Sequence, residues 1–94
     1  MPSTSHLLAD ARADLLARLI RIEGQAKGIR RMVEDGRDCL DVLNQIAAVK
    51  AAVNALSGEM LETFSLYCLR HPEAFSSPEQ AIEQAVRAIV RSGR

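Results

Sequence analysis

The chain has 94 residues, and its 12 Lys and Arg balance its 12 Asp and Glu, so the formal net charge is zero. This length gives one small domain over residues 1–94, and the neutral balance argues weakly against a polyanionic partner. Aromatic residues make up only 3% of the chain, and an apolar half built from aliphatic residues and alanine favours helices packed on helices over a sheet.

The segments that would direct the chain to a membrane or out of the cell are missing from the sequence. It has no uninterrupted apolar run of 18 residues, and its first 14 residues lack the basic region and apolar core of a signal peptide. We therefore expect a cytoplasmic protein without a membrane span. In that compartment the two cysteines would more often be reactive or metal-binding than joined in a structural disulfide.

The first helix is predicted over about residues 10–35, after a frayed segment at 1–9. Its apolar residues follow heptad spacing, which suits packing along another helix at a shallow angle. They are Leu15, Leu19, Ile22, Ala26, Ile29 and Val33. Gly24 and Gly28 lie one turn apart inside this helix and predict the close approach of another backbone, since glycine otherwise weakens a helix.

The first helix also carries a local excess of positive charge. Between residues 18 and 31, five cations stand against the single acid Glu23, and they are Arg18, Arg21, Lys27, Arg30 and Arg31. Such a stripe can bind phosphates even on a neutral protein. An ordinary solvated helix face is the alternative, and composition alone favours it.

The second helix, predicted over about 38–70, is the longest element of the chain. Gly36 is placed to end the first helix, and Asp38 to cap the second. Apolar residues then recur at steps of four and three that break only at Thr63, at Val42, Ile46, Val49, Val53, Leu56, Met60 and Tyr67. A helix of roughly 45–50 Å is longer than a 94-residue chain can cover, so we expect a second copy to pack against it.

Both cysteines lie on the second helix, Cys39 in its first turn and Cys68 in its last. They point to nearly the same face but stand roughly 43 Å apart, so they cannot meet within one chain. In an antiparallel pair of helices with a two-fold axis near Val53 and Asn54, Cys39 of one chain lies beside Cys68 of the other. The alternative is that both are inert, buried residues.

The third helix is predicted over about 78–91, where Ser77, Pro78 and Gln80 form a good helix start. Its apolar face consists of Ile82, Ala85, Val86, Ile89 and Val90. The predicted fold is therefore all-α, with three helices in each protomer. The first two form an antiparallel hairpin, two hairpins form a four-helix bundle, and the third helix covers an end or side of it.

Residues 18–56 closely resemble the copper-sensitive operon repressor family of small, all-helical transcriptional repressors. The motifs that carry this resemblance are R-x-x-R-I-E-G-Q at 18–25, the Asp-Cys pair that opens the second helix, and Q-I-A-A-V-K at 45–50. The resemblance implies a homotetramer made of two dimers, and operator DNA binding through basic residues. Carried onto this chain, those residues are Arg18, Arg21 and Lys50, followed by Lys27, Arg30 and Arg31. No nucleotide-binding loop or catalytic triad is present, so we do not expect an enzyme.

The resemblance also bears on the inducer. The copper sensors of the family have a cysteine, a histidine 25 residues later and a second cysteine 29 residues later, where this chain has Cys39, Phe64 and Cys68. Phenylalanine cannot ligate a metal, so we expect no metal cofactor, and the chain is most similar to the persulfide-sensing branch. In that chemistry Cys39 takes sulfur from a low-molecular-weight persulfide, and Cys68 of the partner chain closes a di-, tri- or tetrasulfide crosslink that releases the operator.

Alternatives stay open at this point. Cu(I) could be held by the Cys39 and Cys68 thiolates, with His71 as a candidate third ligand. His6 lies near the position that supplies an N-terminal ligand in the nickel and cobalt branch. The start of the chain also resembles the formaldehyde branch, which uses an N-terminal proline, but about four extra residues precede the first helix and displace Pro2. A purely structural helical module with inert cysteines is the hypothesis from another class.

Overall fold

The computed structural model describes residues 2–92, and within this range every regular element is helical. The three long helices are α1 (Ala9–Glu34), α2 (Cys39–Arg70) and α3 (Pro78–Ser92), with short 3-10 turns at Thr4–His6 and Pro72–Ala74. This confirms the predicted all-α class with three helices. No strand occurs in the described residues.

The turn between α1 and α2 is closed by a glycine in the left-handed conformation. Gly36 has φ +68°. Its N–H donates to Val33 O at 3.2 Å, and the N–H of Arg37 donates to Met32 O at 2.9 Å, which is the Schellman pattern of helix termination. On the other side of the turn Asp38 caps α2, because its Oδ2 accepts a hydrogen bond from the N–H of Leu40 at 3.1 Å. The chain therefore reverses direction over four residues.

Replacing Gly36 with alanine is expected to lower the free energy of unfolding by about 1 kcal/mol, since an alanine is strained at positive φ. Space is not the cause, because a Cβ at Gly36 would meet no atom within 4 Å. Gly58→Ala is the matched control: this glycine lies inside α2, also with open space around it, and the change should stabilise by about 0.5–1 kcal/mol. Urea unfolding at one fixed protein concentration measures both. Equal effects of the two variants would contradict the strain argument.

Helices α1 and α2 pack as an antiparallel hairpin. Arg18 of α1 contacts Glu59 of α2, whereas Ile29, later in α1, lies with Val49 and Lys50 of α2 around one small groove. The hairpin therefore brings the first half of α1 against the second half of α2.

The α1 side chains that are shielded from solvent differ in part from the predicted seam. Leu15 is buried and Ile22, Gln25, Ile29 and Met32 are half-buried, but Leu19, Ala26 and Val33 are exposed. A Cβ added at Gly24 or at Gly28 would meet no atom within 4 Å. The expected close backbone approach at these glycines is therefore not formed within the protomer.

Helix α3 packs on α2 through alanines rather than through its larger apolar residues. Ala81 is 1% exposed and Ala85 is 6% exposed. The other four residues of the predicted apolar face are more than half exposed, namely Ile82, Val86, Ile89 and Val90. Ser77 caps α3 by accepting from the N–H of Gln80 at 3.1 Å. The branched residues of this face are therefore not covered within the protomer, because the small alanines let α3 approach α2 and leave the larger side chains outside.

The segment before α1 is folded back onto the protein. Met1 lies outside the described residues, but Leu7 is only 8% exposed, and the His6 ring lies 6.4 Å from the ring of Tyr67 near the end of α2. Burying the apolar side chain of Leu7 favours this arrangement. The fraying predicted for residues 1–9 stays a prediction.

The protomer exposes much more surface than a compact protein of its mass. Its accessible surface is 6917 Å², against about 5,400 Å² for a typical folded 10 kDa monomer. Its radius of gyration is 17.2 Å, against about 12 Å for a compact chain of this length. Only five apolar residues among those described are buried: Leu7, Leu15, Cys68, Ala81 and Ala85. The protomer therefore lacks a core of ordinary size.

Helix α2 is also long and apolar enough to meet a length-and-composition test for a membrane span, with a mean hydropathy of 1.2 over 18 residues. The sequence has no uninterrupted apolar run of 18 residues, but the average over 18 residues of α2 is apolar enough to meet this test. One such helix indicates a membrane only weakly, because the core helix of a soluble protein meets the same test. Lys50, Glu59 and Glu62 all lie within α2.

Candidate functional site

Cys39 is the first residue of α2 and is exposed to solvent. The capped start of the helix holds it in place, since Asp38 fixes the first turn. Arg37 lies nearby and pairs across one turn with Asp41, with Nη2 and Oδ2 3.6 Å apart. Small reagents can therefore reach Cys39 directly from solution.

Cys68 has the opposite environment, since it lies in the last turns of α2 and has no exposed surface. Burial raises the pKa of its thiol, and a backbone hydrogen bond opposes this only in part. A thiol with a raised pKa is less often the thiolate, which is the nucleophilic form. Of the two cysteines, Cys68 is therefore the protected one.

The raised pKa of Cys68 gives a pH-dependent labelling prediction. At neutral pH iodoacetamide should modify Cys39 at least about tenfold faster than Cys68, because Cys68 is both buried and protonated. As pH rises, the thiolate fraction of Cys68 grows, so its labelling should keep accelerating at pH values where that of a free thiol has levelled off. Peptide mass spectrometry at several pH values measures both rates, and labelling in urea is the control in which they converge. Equal labelling in the native protein would contradict the burial of Cys68.

The two thiols do not meet within the protomer, because they lie at opposite ends of the 32-residue helix α2, roughly 43 Å apart. Each thiol is free of a disulfide. The predicted pairing of Cys39 with Cys68 of a second chain stays a prediction, since a single protomer contains only half of each such pair.

Phe64 lies one turn before Cys68 and is half-buried. It lines an apolar cavity of about 530 Å³ between the helices, together with Leu15, Leu19, Val53, Leu56 and Met60. Arg12 and Arg91 also contribute to the wall of this cavity. The side chain that stands at the position of the copper sensors' histidine therefore belongs to an apolar surface.

The two histidines lie near the same end of α2 as Cys68. His71 stacks beside Tyr67, with ring centroids 4.8 Å apart, and its Nδ1 lies 3.0 Å from Oε1 of Glu73. A backbone hydrogen bond and, after it, His71 lower the pKa of Glu73. Within residues 2–92 no three His, Cys, Asp or Glu side chains are grouped to hold a metal.

The six candidate DNA-binding residues are all exposed, five on α1 and one on α2. They are Arg18, Arg21, Lys27, Arg30, Arg31 and Lys50. Arg30 pairs with Glu34 one turn away at 3.3 Å, an exposed contact that contributes little to stability. All six are therefore available to phosphates, but the five on α1 are spread over more than one face of that helix, and Lys50 lies on α2.

Sequence reasoning missed one residue beside this set. Glu59 of α2 forms an ion pair with Arg18 of α1 through Oε2 and Nε. A signal was present in the sequence, because Glu59 is an acid placed between Leu56 and Met60 in the apolar pattern of α2, opposite a helix rich in cations.

Comparison with known proteins gives consistent matches over most of the chain. Residues 11–91 match the family described as metal-sensitive transcriptional repressors. The copper-sensing transcriptional repressor CsoR of Bacillus subtilis is 38% identical over 80 residues, covering 85% of this chain and 79% of the relative. The copper-sensing transcriptional repressor RicR of Mycobacterium tuberculosis is 32% identical, covering 95% of each. The structure of the copper-sensing repressor CsoR with Cu(I) from Geobacillus thermodenitrificans has a TM-score of 0.77 and 31% identity, covering 100% of this chain and 94% of that one.

Proposed function

Because the chain belongs to the metal-sensitive transcriptional repressor family, we propose that it is an operator-binding repressor whose inducer acts on Cys39 and on Cys68 of a second protomer. Its relatives are transcriptional repressors rather than enzymes, which fits a regulatory role in the cytoplasm, where operator DNA lies. The observation that carries the proposal is the contrast between the two thiols: Cys39 is open to reagents, and Cys68 is enclosed.

The proposed assembly is a dimer of antiparallel hairpins, paired again into a homotetramer. Its support is the uncovered apolar surface of the protomer. Exposed apolar side chains run along both helices of the hairpin, at Leu16, Leu19, Ile20, Leu40, Leu43, Ile46 and Val53. The surface in excess of a compact monomer is about 1,500 Å², which is enough for each protomer to take part in a stable interface.

A persulfide is the inducer that the donor set favours, because Phe64 supplies no metal ligand. The Cys39 thiolate attacks the outer sulfur of a low-molecular-weight persulfide RSSH, so that Cys39 becomes a persulfide and the thiol RSH leaves. The partner's Cys68 thiolate then attacks the Sγ of Cys39, and hydrosulfide leaves as the disulfide forms. If both cysteines are first persulfidated, the same displacement gives a trisulfide. The open thiol reacts first and the enclosed thiol resolves.

Cu(I) is the second candidate inducer, and the comparisons favour it, since both relatives above are copper-sensing. Two thiolates suit Cu(I), which prefers soft sulfur ligands. In an antiparallel pair, Cys39 and the partner's Cys68 would hold it, and the bound ion would supply a bridge between the protomers. The fit is incomplete in one respect: Phe64 removes the imidazole that a three-coordinate site would use.

One experiment tests the proposal and separates the inducers. The reduced protein is bound to a labelled duplex from the promoter region upstream of its own gene, then treated anaerobically with glutathione persulfide, with Cu(I), or with formaldehyde. Intact-mass spectrometry without reductant should show a covalent dimer only with the persulfide, and DNA should be released in that arm. Release by Cu(I) without a covalent dimer would establish the copper alternative. Failure to bind the duplex at all would refute the repressor assignment.

The DNA contacts give a further prediction. Arg18→Ala and Lys50→Ala should each weaken binding to the promoter duplex and reduce the slope of log affinity against log salt by about one, since each change removes one phosphate contact. Arg87→Ala is the matched control, because it removes the same charge from α3, where Arg87 pairs with Glu83. Fluorescence anisotropy between low and moderate salt measures the slopes. An unchanged slope in the Arg18 variant would show that this residue does not contact DNA.

A further inference from the structure

One ion pair in the described part of the chain differs from the others by joining two helices. Arg18 of α1 and Glu59 of α2 are held together across the hairpin. The remaining pairs are local, linking residues two or four positions apart: Arg30 with Glu34, Arg37 with Asp41, His71 with Glu73, and Arg87 with Glu83. Exposed local pairs are weak and contribute little, so the contact between helices is the one with structural consequences.

The two partners of this pair differ in exposure. The side chain of Glu59 is 22% exposed, whereas that of Arg18 is 43% exposed. The Oε2 atom of Glu59, which faces Nε of Arg18 in the ion pair, is itself shielded from solvent and has no hydrogen-bond partner among the described residues. A carboxylate oxygen that has lost its water depends on a nearby cation to compensate its charge. The acid is therefore the fixed partner, and the arginine extends from it toward the surface.

Glu59 contacts the guanidinium of Arg18 at Nε rather than at the two Nη groups. Arginine presents five N–H donors in a rigid plane, and Nε lies at the inner end of that plane. A carboxylate on Nε leaves the donors of the two Nη groups free, and these are the donors that grip a phosphate from two sides. We propose that Glu59 is a positioning residue for DNA binding, which holds Arg18 by Nε so that its Nη groups face the DNA backbone. This inference rests on the proposed function, since it requires Arg18 to contact DNA.

Charge alone predicts the opposite effect of Glu59, which makes the inference testable. Removing an acid makes the protein more positive, and a more positive protein binds a polyanion more tightly. If Glu59 only neutralised Arg18, its removal would strengthen binding. If Glu59 positions Arg18, removal weakens binding despite the gain in charge, because the arginine then loses its fixed orientation.

The test measures binding of the full-length protein to the promoter duplex by anisotropy over a range of salt concentrations. Glu59→Gln should weaken binding by about tenfold, the cost of one charged contact, and reduce the salt slope by about one. Glu83→Gln is the matched control: it removes the same charge from an exposed pair on α3, and it should leave affinity within about twofold. In a cycle with Arg18→Ala, adding Glu59→Gln should cost nothing further, since the two residues act together.

Three results would overturn the positioning role of Glu59. Unchanged or tighter binding by Glu59→Gln overturns the inference, as does an equal loss when Arg18 is already alanine. An Arg18→Ala variant with wild-type affinity overturns it too, because Arg18 then contacts no DNA. A wild-type protein that fails to bind the duplex refutes the proposed function instead. If circular dichroism shows that Glu59→Gln is unfolded, Glu59→Asp keeps the charge but withdraws it by one methylene, and it should also weaken binding.

Discussion

The Cys68→Ala variant should form no covalent dimer on treatment with glutathione persulfide and should stay on the promoter duplex. Cys39 remains exposed in this variant, so it should still be persulfidated, and its mass should rise by one sulfur atom. The crosslink cannot close because the resolving thiol is missing, so the expected loss of covalent dimer is complete. Non-reducing mass spectrometry and anisotropy on the same sample measure both effects. DNA release by this variant would show that persulfidation of Cys39 alone is sufficient.

Mixing two variants tests whether the crosslink joins different chains. Neither Cys39→Ala nor Cys68→Ala can crosslink with itself. A mixed dimer of the two contains one intact pair, formed by Cys39 of one chain and Cys68 of the other. After unfolding and refolding together, the mixture should regain covalent dimer, and each variant refolded alone should not. Recovery in the mixture would support the antiparallel arrangement, and its absence would refute it.

The Phe64→His variant should bind Cu(I) about 100-fold more tightly than the wild type, or more, since even an outer-shell partner of a metal ligand contributes 10–100-fold in affinity. The reason is the spacing on α2: position 64 lies one turn before Cys68, so an imidazole there would complete a three-donor set with Cys39 of the partner. Competition with a chromophoric Cu(I) chelator measures the change. Phe64→Leu is the matched control, because it alters the packing at position 64 without adding a ligand.

A small effect of Phe64→His would also be informative. If the wild type already bound Cu(I) as tightly as the histidine variant, the two thiolates would be sufficient and the copper alternative would be favoured. In the persulfide interpretation, the wild type binds Cu(I) weakly and the variant gains a response to it. The Cu(I) affinities of the wild type and of Phe64→His therefore distinguish the two inducers without an experiment on persulfides.

The sequence was sufficient for those parts of the fold that depend on local rules. Gly36, Asp38 and Ser77 mark helix ends through backbone geometry and capping, and the structure places helix boundaries at all three. The apolar periodicity of each helix is also a local pattern, so it predicted the three helices. The family could also be predicted, because its motifs lie in one continuous stretch of the sequence.

The sequence was not sufficient where two segments compete for the same surface. Periodicity shows that a helix has an apolar side, but it does not show which part of that side packs within the protomer. It therefore predicts Leu19 and Val33 at the contact with α2, whereas the structure leaves both exposed. On α3, Ala81 takes the place of larger residues at the interface with α2. The Arg18–Glu59 pair depends on the register between α1 and α2, which no single helix encodes. The burial of Leu7, in the segment before α1, could not be predicted from the sequence either, because a single leucine makes no periodic pattern.

The sparse core of the protomer has a consequence for how long a newly made chain survives. The five buried apolar residues of the described chain give a lone protomer little resistance to local opening, and open segments are the substrates of proteases. In the proposed assembly a paired chain would cover its exposed apolar side chains and be protected, so assembly and survival would be coupled by mass action. Unpaired copies should therefore be degraded first, and the cell would hold a pool of this protein made mainly of complete assemblies.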